Sequence, residues 1–120
     1  MEKNSWRCVE TAVLGRRILC RWLLLDDGAQ FVLTGGDLSH VGAVSAADPG
    51  QPARTLTFPG HRDQDLSGPW AEKLAGALHR RVCVTCGIHY DNLSRGNLKL
   101  VTAATEALLT QVLESLQLES

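Results

Sequence analysis

Long apolar runs, aromatic residues and an excess of charge of either sign are all scarce in this 120-residue chain. The apolar run from Ile18 to Leu25 is interrupted by Arg21 and is far shorter than the ~20 residues of a membrane-spanning helix. The net charge of −1 argues against nucleic-acid binding, which a basic face or stripe normally accompanies. The sequence begins MEKNSWRCVE, without an apolar signal region. We therefore expect a cytoplasmic protein that binds neither membranes nor nucleic acids.

Standard metal-binding and nucleotide-binding motifs are also missing. There is no HExxH, no HxH and no second CxxC beside the pair formed by Cys83 and Cys86. Those two side chains lie in an alternating strand-like run, RVCVTC, and so point to opposite faces, which disfavours a shared metal ion or a redox pair. We interpret them as small core thiols of a reducing compartment. The glycine-containing stretch TGGDLSHVG lacks the lysine and serine of a P-loop and is not a GxGxxG motif.

The hydrophobic periodicity predicts an α+β fold with two layers. It indicates five strands over residues 6–14, 18–25, 29–34, 41–46 and 81–86. It also indicates two helices, one over residues 65–79 and one from 94 to about 116. Asp27-Gly28 favours a hairpin, and Ser94 is a predicted helix N-cap. Residues 48–57, with two prolines and a glycine, are predicted to form a surface loop that is extended in part. The order ββββαβα implies a single domain over residues 1–120, with a mostly antiparallel sheet of about five strands and two helices on one face.

Three histidines fall at element ends or in loops, each within three residues of a carboxylate. The pairs are Asp37 with His40, His61 with Asp63, and His89 with Asp91. Histidines near carboxylates serve as acid–base groups or as metal ligands, with the carboxylate orienting the ring. A chain that runs strand, loop, helix, strand can bring all three to one edge of the sheet. Scattered polar surface residues are the alternative, and the residues alone leave this open.

Glycines adjoin each of these candidates, at positions 35, 36, 42, 60 and 87. Glycine permits a close approach of backbone amides to a ligand such as phosphate. Arg62 and Arg54 could add charge for a phosphate. The simpler interpretations are a turn for Gly35-Gly36 and a solvated loop arginine for Arg54.

Together these motifs resemble the LpdD-type family, which comprises small proteins encoded beside UbiD-type decarboxylases and described as prenylated-flavin chaperones. The resemblance covers about residues 5–118 and rests on three segments, GDLSHVGAV from Gly36, PGHRD from Pro59 and GIHYDN from Gly87. It implies a protein that holds prenylated FMN, made by a UbiX-type prenyltransferase, for delivery to an apo-decarboxylase. The motif positions imply a set of cofactor-binding residues: Gly36, Asp37, His40, Gly60, His61, Arg62, His89, Asp91 and Asn92.

The resemblance also suggests roles within that set. Arg62 and the glycine-rich turns would take the cofactor's phosphate. The three histidines would hydrogen-bond the ribityl chain and the ring, or would bind a divalent metal as His40, His61 and His89. A homodimer is expected, because one small two-layer subunit offers little enclosed volume for a flavin.

Two alternatives to a chaperone stay open. One is a metal-dependent hydrolase or lyase that uses the three histidines, with Asp37 or Asp91 as the general base. The other is a non-catalytic subunit that docks on a decarboxylase through its sheet face. Enzyme activity is expected only under the first of these alternatives.

Overall fold

The computed structural model describes residues 5–58 and 63–119, and these residues form six strands and two helices. The elements in chain order are β1 (Arg7–Val13), β2 (Arg16–Leu24), β3 (Ala29–Gly36), β4 (Ala43–Ala47), β5 (Arg54–Thr57), α1 (Gln64–Leu78), β6 (Val82–His89) and α2 (Arg95–Glu119). The α+β class and the two-layer arrangement are confirmed, but the described sheet has six strands where the sequence pattern predicted five.

The additional strand is β5, which lies in the segment predicted to be a loop. It pairs antiparallel with β4 at the edge of the sheet, from Thr57 opposite Ala43 to Arg54 opposite Ala46. All four of its residues are exposed, so no alternation of apolar and polar side chains marks this strand in the sequence. Its extended conformation is stabilised by the hydrogen-bond ladder with β4. The residue pattern of β5 alone could not reveal this pairing.

The strands form one mixed sheet in the order β1-β2-β3-β6-β4-β5. The central β3–β6 pair is parallel, and the other described pairs are antiparallel. The chain leaves β5, passes through α1 and inserts β6 between β3 and β4. This insertion places the ends of β3 and β6 side by side, with Gly36 paired to His89. The residues that follow these two strands therefore leave the sheet together.

The core lies between the two helices and one face of the sheet. Along β2, Ile18, Cys20, Trp22 and Leu24 are buried and alternate with more exposed residues, as expected for a strand covered on one face. Helix α1 packs over β4, β5 and β6, and α2 packs over β1 and β2. The helices complete the core with Trp70, Leu74, Leu108, Val112 and Leu116. Full burial of such a side chain stabilises the fold by roughly 1.5–3 kcal/mol.

The opposite face of the sheet, which we call the open face, is covered by no described element. Its middle row crosses all six strands through Cys8, Arg21, Val32, Thr85, Val44 and Leu56. Apolar side chains are exposed at both edges, with Trp6 before β1 and Leu56 in β5 accessible over 56% and 61% of their surface. The sheet therefore offers a large surface on which another protein could pack.

The element ends follow the predicted local signals in part. The N–H of Asn97 donates to Oγ of Ser94 at 3.1 Å, which confirms Ser94 as the N-cap of α2. The β2–β3 hairpin forms at the predicted Asp-Gly pair, where Gly28 has a φ of +113°. The β1–β2 turn is made by Leu14 and Gly15, both with positive φ, one residue earlier than the sequence indicated. No helix in residues 5–58 or 63–119 is long and apolar enough to cross a membrane.

Candidate cofactor-binding site

The described polar residues of the three motifs meet at the end of the sheet where β3 and β6 stop. β3 ends at Gly36, directly beside His89 at the end of β6. The segment before β4 and the start of α1 reach the same end of the sheet. We call this cluster the strand-end site and define it by five side chains: Asp37, His40, Asp63, His89 and Asp91.

Two histidines occupy different places from those predicted. His89 was expected in a connector after the strand, but it is the last residue of β6. It is drawn into the sheet because β3 continues through Gly35 and Gly36, which pair with Ile88 and His89. His40 was expected to open β4, which instead begins three residues later at Ala43.

Asp63 is the buried centre of the site, with only 5% of its surface accessible. Its Oδ1 accepts the N–H of Ile88 at 2.9 Å, and its Oδ2 lies 3.1 Å from Nε2 of His40. The thiol of Cys86 also donates to Oδ1, at 3.6 Å. Burial and, secondarily, the charge of Asp63 raise the pKa of this thiol, so it remains a protonated donor. One carboxylate thus joins α1 to β6 and to the segment before β4.

Asp37 joins the ends of β3 and β6. Its Oδ2 accepts the N–H of Asp91 at 2.9 Å, and its Oδ1 accepts Nε–H of Arg16 at 2.7 Å. Its own N–H donates to the carbonyl of His89 at 2.6 Å. The hydrogen bond from Asp91 and then that from Arg16 lower the pKa of the Asp37 carboxyl. Asp37 is therefore an ionised anchor whose two oxygens are both engaged.

His89 and His40 approach each other across the site. Their ring centroids are 6.3 Å apart, with the ring planes at 80°. Nε2 of His89 lies 2.9 Å from Oδ1 of Asp91, and this pair is much more exposed than the His40–Asp63 pair. The structure therefore brings two of the three predicted histidines together. His40 lies beside Asp63 of another segment, and His89 lies beside Asp91 of its own segment.

The predicted metal site cannot be completed from these two histidines. The described ranges contain no group of three or more His, Cys, Asp or Glu side chains placed to hold a metal ion. His61 lies outside the described residues, together with Gly60 and Arg62. A metal held by His40, His61 and His89 therefore stays a prediction. Asn92 lies in the exposed turn that leads to α2 and has a φ of +54°, which asparagine tolerates well.

Three of the motif glycines explain why these segments pack so closely. A Cβ atom would overlap a neighbouring group at each position: the His40 carbonyl at Gly87, the Asp63 carboxylate at Gly42 and the His89 carbonyl at Gly36. The sequence suggested that such glycines admit a ligand to the backbone. In the structure, they admit other segments of the chain itself, and so hold the strand-end site together.

An apolar cavity of about 450 Å³ opens beside His89, between the start of α1, the end of β6 and the first turns of α2. Its apolar walls are formed by Leu66, Ile88, Tyr90, Leu93, Leu98 and Val101. Polar groups are supplied by Asp63, Asp65, His89 and Thr102. This size and this mixture are typical of small-molecule sites, which span roughly 300–1,000 Å³ and place a few polar groups among apolar walls.

Tyr90 is held rigidly in the cavity wall. Its hydroxyl donates to the carbonyl of Val13 at 2.9 Å, and burial raises the pKa of this hydroxyl. Tyr90 belongs to the GIHYDN motif, but the sequence did not identify the aliphatic wall beside it. The helical period from residue 94 to about 116 predicts an apolar stripe that begins at Leu98, but Leu98 is 50% exposed at the cavity. The sequence does contain a signal for this wall. The apolar stripe of α2 starts in the first turn of the helix, before the helix reaches the strands that it covers, so its first apolar residues are left to line a cavity.

Comparison with known proteins gives this site a context. Residues 13–117 match the prenylated flavin chaperone LpdD-like domain. The chain belongs to this family. A curated relative, Protein LpdD of Lactiplantibacillus plantarum, is 26% identical over 91 residues, which cover 72% of this chain and 67% of that protein. The LpdD-type resemblance is thereby confirmed, and the chain carries a chaperone domain of the LpdD-like family.

Among solved structures, a chain in the crystal structure of a novel chaperone complex for yeast 20S proteasome assembly is similar. The TM-score is 0.59 and the identity is 15%, over 95% of this chain and 97% of that chain. At this level of identity the likeness shows the fold alone. Both the strand-end site and the apolar cavity lie within the residues that match the LpdD-like family.

Proposed function

We propose that this member of the LpdD-like family binds prenylated FMN and protects it or delivers it to a UbiD-type decarboxylase, as a non-catalytic cofactor chaperone. The observation that carries the proposal is the apolar cavity of about 450 Å³ beside His89, at the strand ends where the family motifs meet. Its aliphatic walls suit the ring system and the prenyl-derived ring of the cofactor. His89 and Thr102 can hydrogen-bond the polar edge of the flavin.

The residues of the cavity suit holding a ligand and releasing it unchanged. Tyr90 and Ile88 form a wall fixed by the sheet, since Tyr90 is bonded to Val13 and Ile88 to Asp63. Leu98 lies at the solvent-accessible rim, so a ligand can enter and leave without unfolding the core. When bound, prenylated FMN supplies the reactive ring of the decarboxylase. The chain's own contribution is to exclude water from that ring during transfer.

The geometry of Asp37 favours a chaperone over the hydrolase or lyase alternative. A general base works best with a pKa near the working pH. Both oxygens of Asp37 accept hydrogen bonds, and its pKa is lowered. The enzyme alternative therefore depends on Asp91 and on His61, and the latter lies outside the described residues.

Delivery requires protein contacts, and the open face supports them. We expect contacts with the UbiX-type prenyltransferase and the UbiD-type decarboxylase, as well as a homodimer. Six strands about 4.8 Å apart, with about seven residues of ~3.3 Å each, offer about 600 Å² per chain. Sedimentation velocity at micromolar concentrations tests the dimer, and a monomer under those conditions would contradict it.

The proposal is tested by purifying the protein anaerobically from cells that co-express a UbiX-type prenyltransferase. The absorbance spectrum and mass spectrometry of the released ligand identify what is bound. Prenylated FMN is expected, and a colourless protein without flavin would contradict the proposal. Metal analysis of the same sample tests the three-histidine site, since a stoichiometric metal should disappear in His40→Ala, His61→Ala and His89→Ala.

A matched pair of variants locates the ligand. Leu98 and Leu100 are both in α2 and are 50% and 52% exposed, but only Leu98 is among the described lining residues of the cavity. Leu98→Trp should fill the cavity and reduce bound flavin about tenfold, in line with the usual ~1–3 kcal/mol cost of overpacking. Leu100→Trp should bind as the wild type does. Equal flavin content in the two variants would place the ligand elsewhere.

A further inference from the structure

A second hollow, of about 500 Å³, lies on the open face, on the other side of Gly36 and Asp37 from the apolar cavity. Hydrogen-bond donors dominate its lining: Arg16, Arg17, Arg21, Thr34 and Ser39. Asp37 is the carboxylate in the same lining. Three guanidinium groups lie against the carboxylate of Asp37 and that of Glu10, which pairs with Arg17 from outside the lining, so the hollow has one net positive charge although the whole chain carries a net charge of −1. We call it the arginine hollow.

The strand register explains why these donors converge. Arg17, Leu19 and Arg21 alternate along β2 with the buried Ile18 and Cys20, so all three side chains point to the open face. In the next strand, Thr34 lies directly opposite Leu19. The floor of the hollow is therefore Leu19 with the hydroxyl of Thr34 beside it, and the two arginines flank that floor.

The arginines of the hollow differ in how strongly they are engaged. Arg16 is bonded to Asp37, whereas Nη1 of Arg17 lies 3.2 Å from Glu10 in a pair whose side chains are 67% and 48% exposed. Exposed pairs of this kind are weak, so Arg17 can exchange Glu10 for a better anion. Within the described part of the chain, Arg21 forms no hydrogen bond or ion pair. Two guanidinium groups are thus available to a ligand.

We propose that the arginine hollow binds the phosphate of the flavin mononucleotide, through Arg17 and Arg21 with Thr34. A phosphate monoester carries close to two negative charges near neutral pH, one for each of the Arg17 and Arg21 guanidinium groups once Arg17 has exchanged Glu10 for the ligand. Guanidinium groups bind phosphate through paired, charge-assisted hydrogen bonds. The identity of the ligand rests on the proposed function, but the preference for a phosphate group rests on the hollow alone.

The position of the hollow supports a single ligand that spans both sites. Gly36 borders the hollow and pairs with His89, which lines the apolar cavity. Adjacent strands are about 4.8 Å apart, so a flavin ring in the cavity could extend its ribityl phosphate across the strand ends into the hollow. This assignment replaces the phosphate role that the family resemblance suggested for Arg62.

Calorimetric titration with FMN, riboflavin and inorganic phosphate tests this assignment. Riboflavin has the flavin ring and ribityl chain without the phosphate, and inorganic phosphate has neither the ring nor the ribityl chain. The test variant is Arg17→Gln/Arg21→Gln, and Arg54→Gln is the control because Arg54 is an exposed arginine on the same face at the far edge of the sheet. The wild type and Arg54→Gln should bind FMN about tenfold to a hundredfold more tightly than riboflavin, as expected for charged hydrogen bonds. The double variant should bind the two flavins alike.

The outcomes separate this inference from the proposed function. Flavins bound with equal affinity by the wild type, or an FMN preference that survives in the double variant, would overturn the arginine hollow and leave the flavin chaperone standing. Phosphate bound by the wild type and not by the double variant, with neither flavin bound, would support the hollow as a phosphate site and show that the apolar cavity does not hold an unprenylated flavin ring. Failure of all three probes to bind would refute the arginine hollow, whereas the prenylated-FMN function is refuted only by a colourless protein in the anaerobic purification. Circular dichroism of the double variant checks that it is folded.

Discussion

Gly87→Ala should destabilise the protein, although it adds only one methyl group to a strand. Gly87 is buried in β6, and its φ is not in the left-handed region, so the local backbone accepts alanine. Alanine is disfavoured instead by a contact with another segment of the chain. A Cβ at this position would overlap the backbone carbonyl of His40, and a backbone group cannot swing aside as the end of a flexible side chain can.

The size of the effect follows from what must move. Displacing the segment that carries His40 weakens its 3.1 Å contact with Asp63 and the 2.9 Å bond from the N–H of Gly42 to the carbonyl of Cys86. Overpacking in a folded interior costs roughly 1–3 kcal/mol, and each lost hydrogen bond adds roughly 0.5–1.5 kcal/mol. We therefore expect a loss of about 3 kcal/mol in the free energy of unfolding, from a total of roughly 5–15 kcal/mol.

Urea unfolding followed by circular dichroism measures this loss, and Gly76→Ala is the matched control. Gly76 lies within α1, and nothing is within 4 Å of the position that its Cβ would take. The same chemical change should there stabilise the protein by roughly 0.5–1 kcal/mol, because alanine is the better helix former. Opposite signs are expected for the two variants. An unchanged urea midpoint for Gly87→Ala would refute the argument that this glycine is required for the close packing of β6 against His40.

Two further predictions concern the ends of the elements. Because the pKa of Asp37 is lowered from 3.8, the unfolded chain takes up this proton first as the pH falls, so the stability that Asp37 contributes is present above about pH 4 and is lost in stronger acid. Asp37→Asn should therefore lower the thermal midpoint at pH 7 and bring it close to that of the wild type near pH 2; an equal loss at both pH values would show that the charge is unimportant. Ser94→Ala should cost about 1 kcal/mol through loss of the N-cap, whereas Ser115→Ala within the same helix should cost nothing, and equal urea midpoints for the two variants would count against the cap.

The strongly periodic elements could be predicted from the sequence because their burial alternates with the period of the element itself. β2 and α2 are of this kind, and so is the hairpin at Asp27-Gly28, whose turn needs a residue that accepts positive φ. β5 could not be predicted in this way. Its four residues are all exposed, so no buried side chain marks them as a strand, and the ladder with β4 makes them one.

The candidate site could likewise be predicted only where its features are local in the sequence. The residue types of its motifs, with a carboxylate near each histidine and a glycine beside each pair, could be recognised along the chain. The partners could not, because His40 binds Asp63 and Asp37 binds the N–H of Asp91 across separations of 23 and 54 residues. Such contacts depend on how the segments are placed in space.

By itself, the sequence determined the α+β class and the family to which the chain belongs. It also placed Cys83 and Cys86 on opposite faces of a strand, but the prediction that both are core thiols was wrong for Cys83, since only Cys86 is buried in the core. The class and the family follow from local periodicity and from short motifs, which act over a few residues. Only the tertiary structure decided that β6 inserts between β3 and β4. This insertion brings Gly36 and His89 together, opens the apolar cavity on one side of the strand ends and leaves the arginine hollow on the other. The physical reason is that strand order is selected by the combined packing of all the elements, which no single segment encodes.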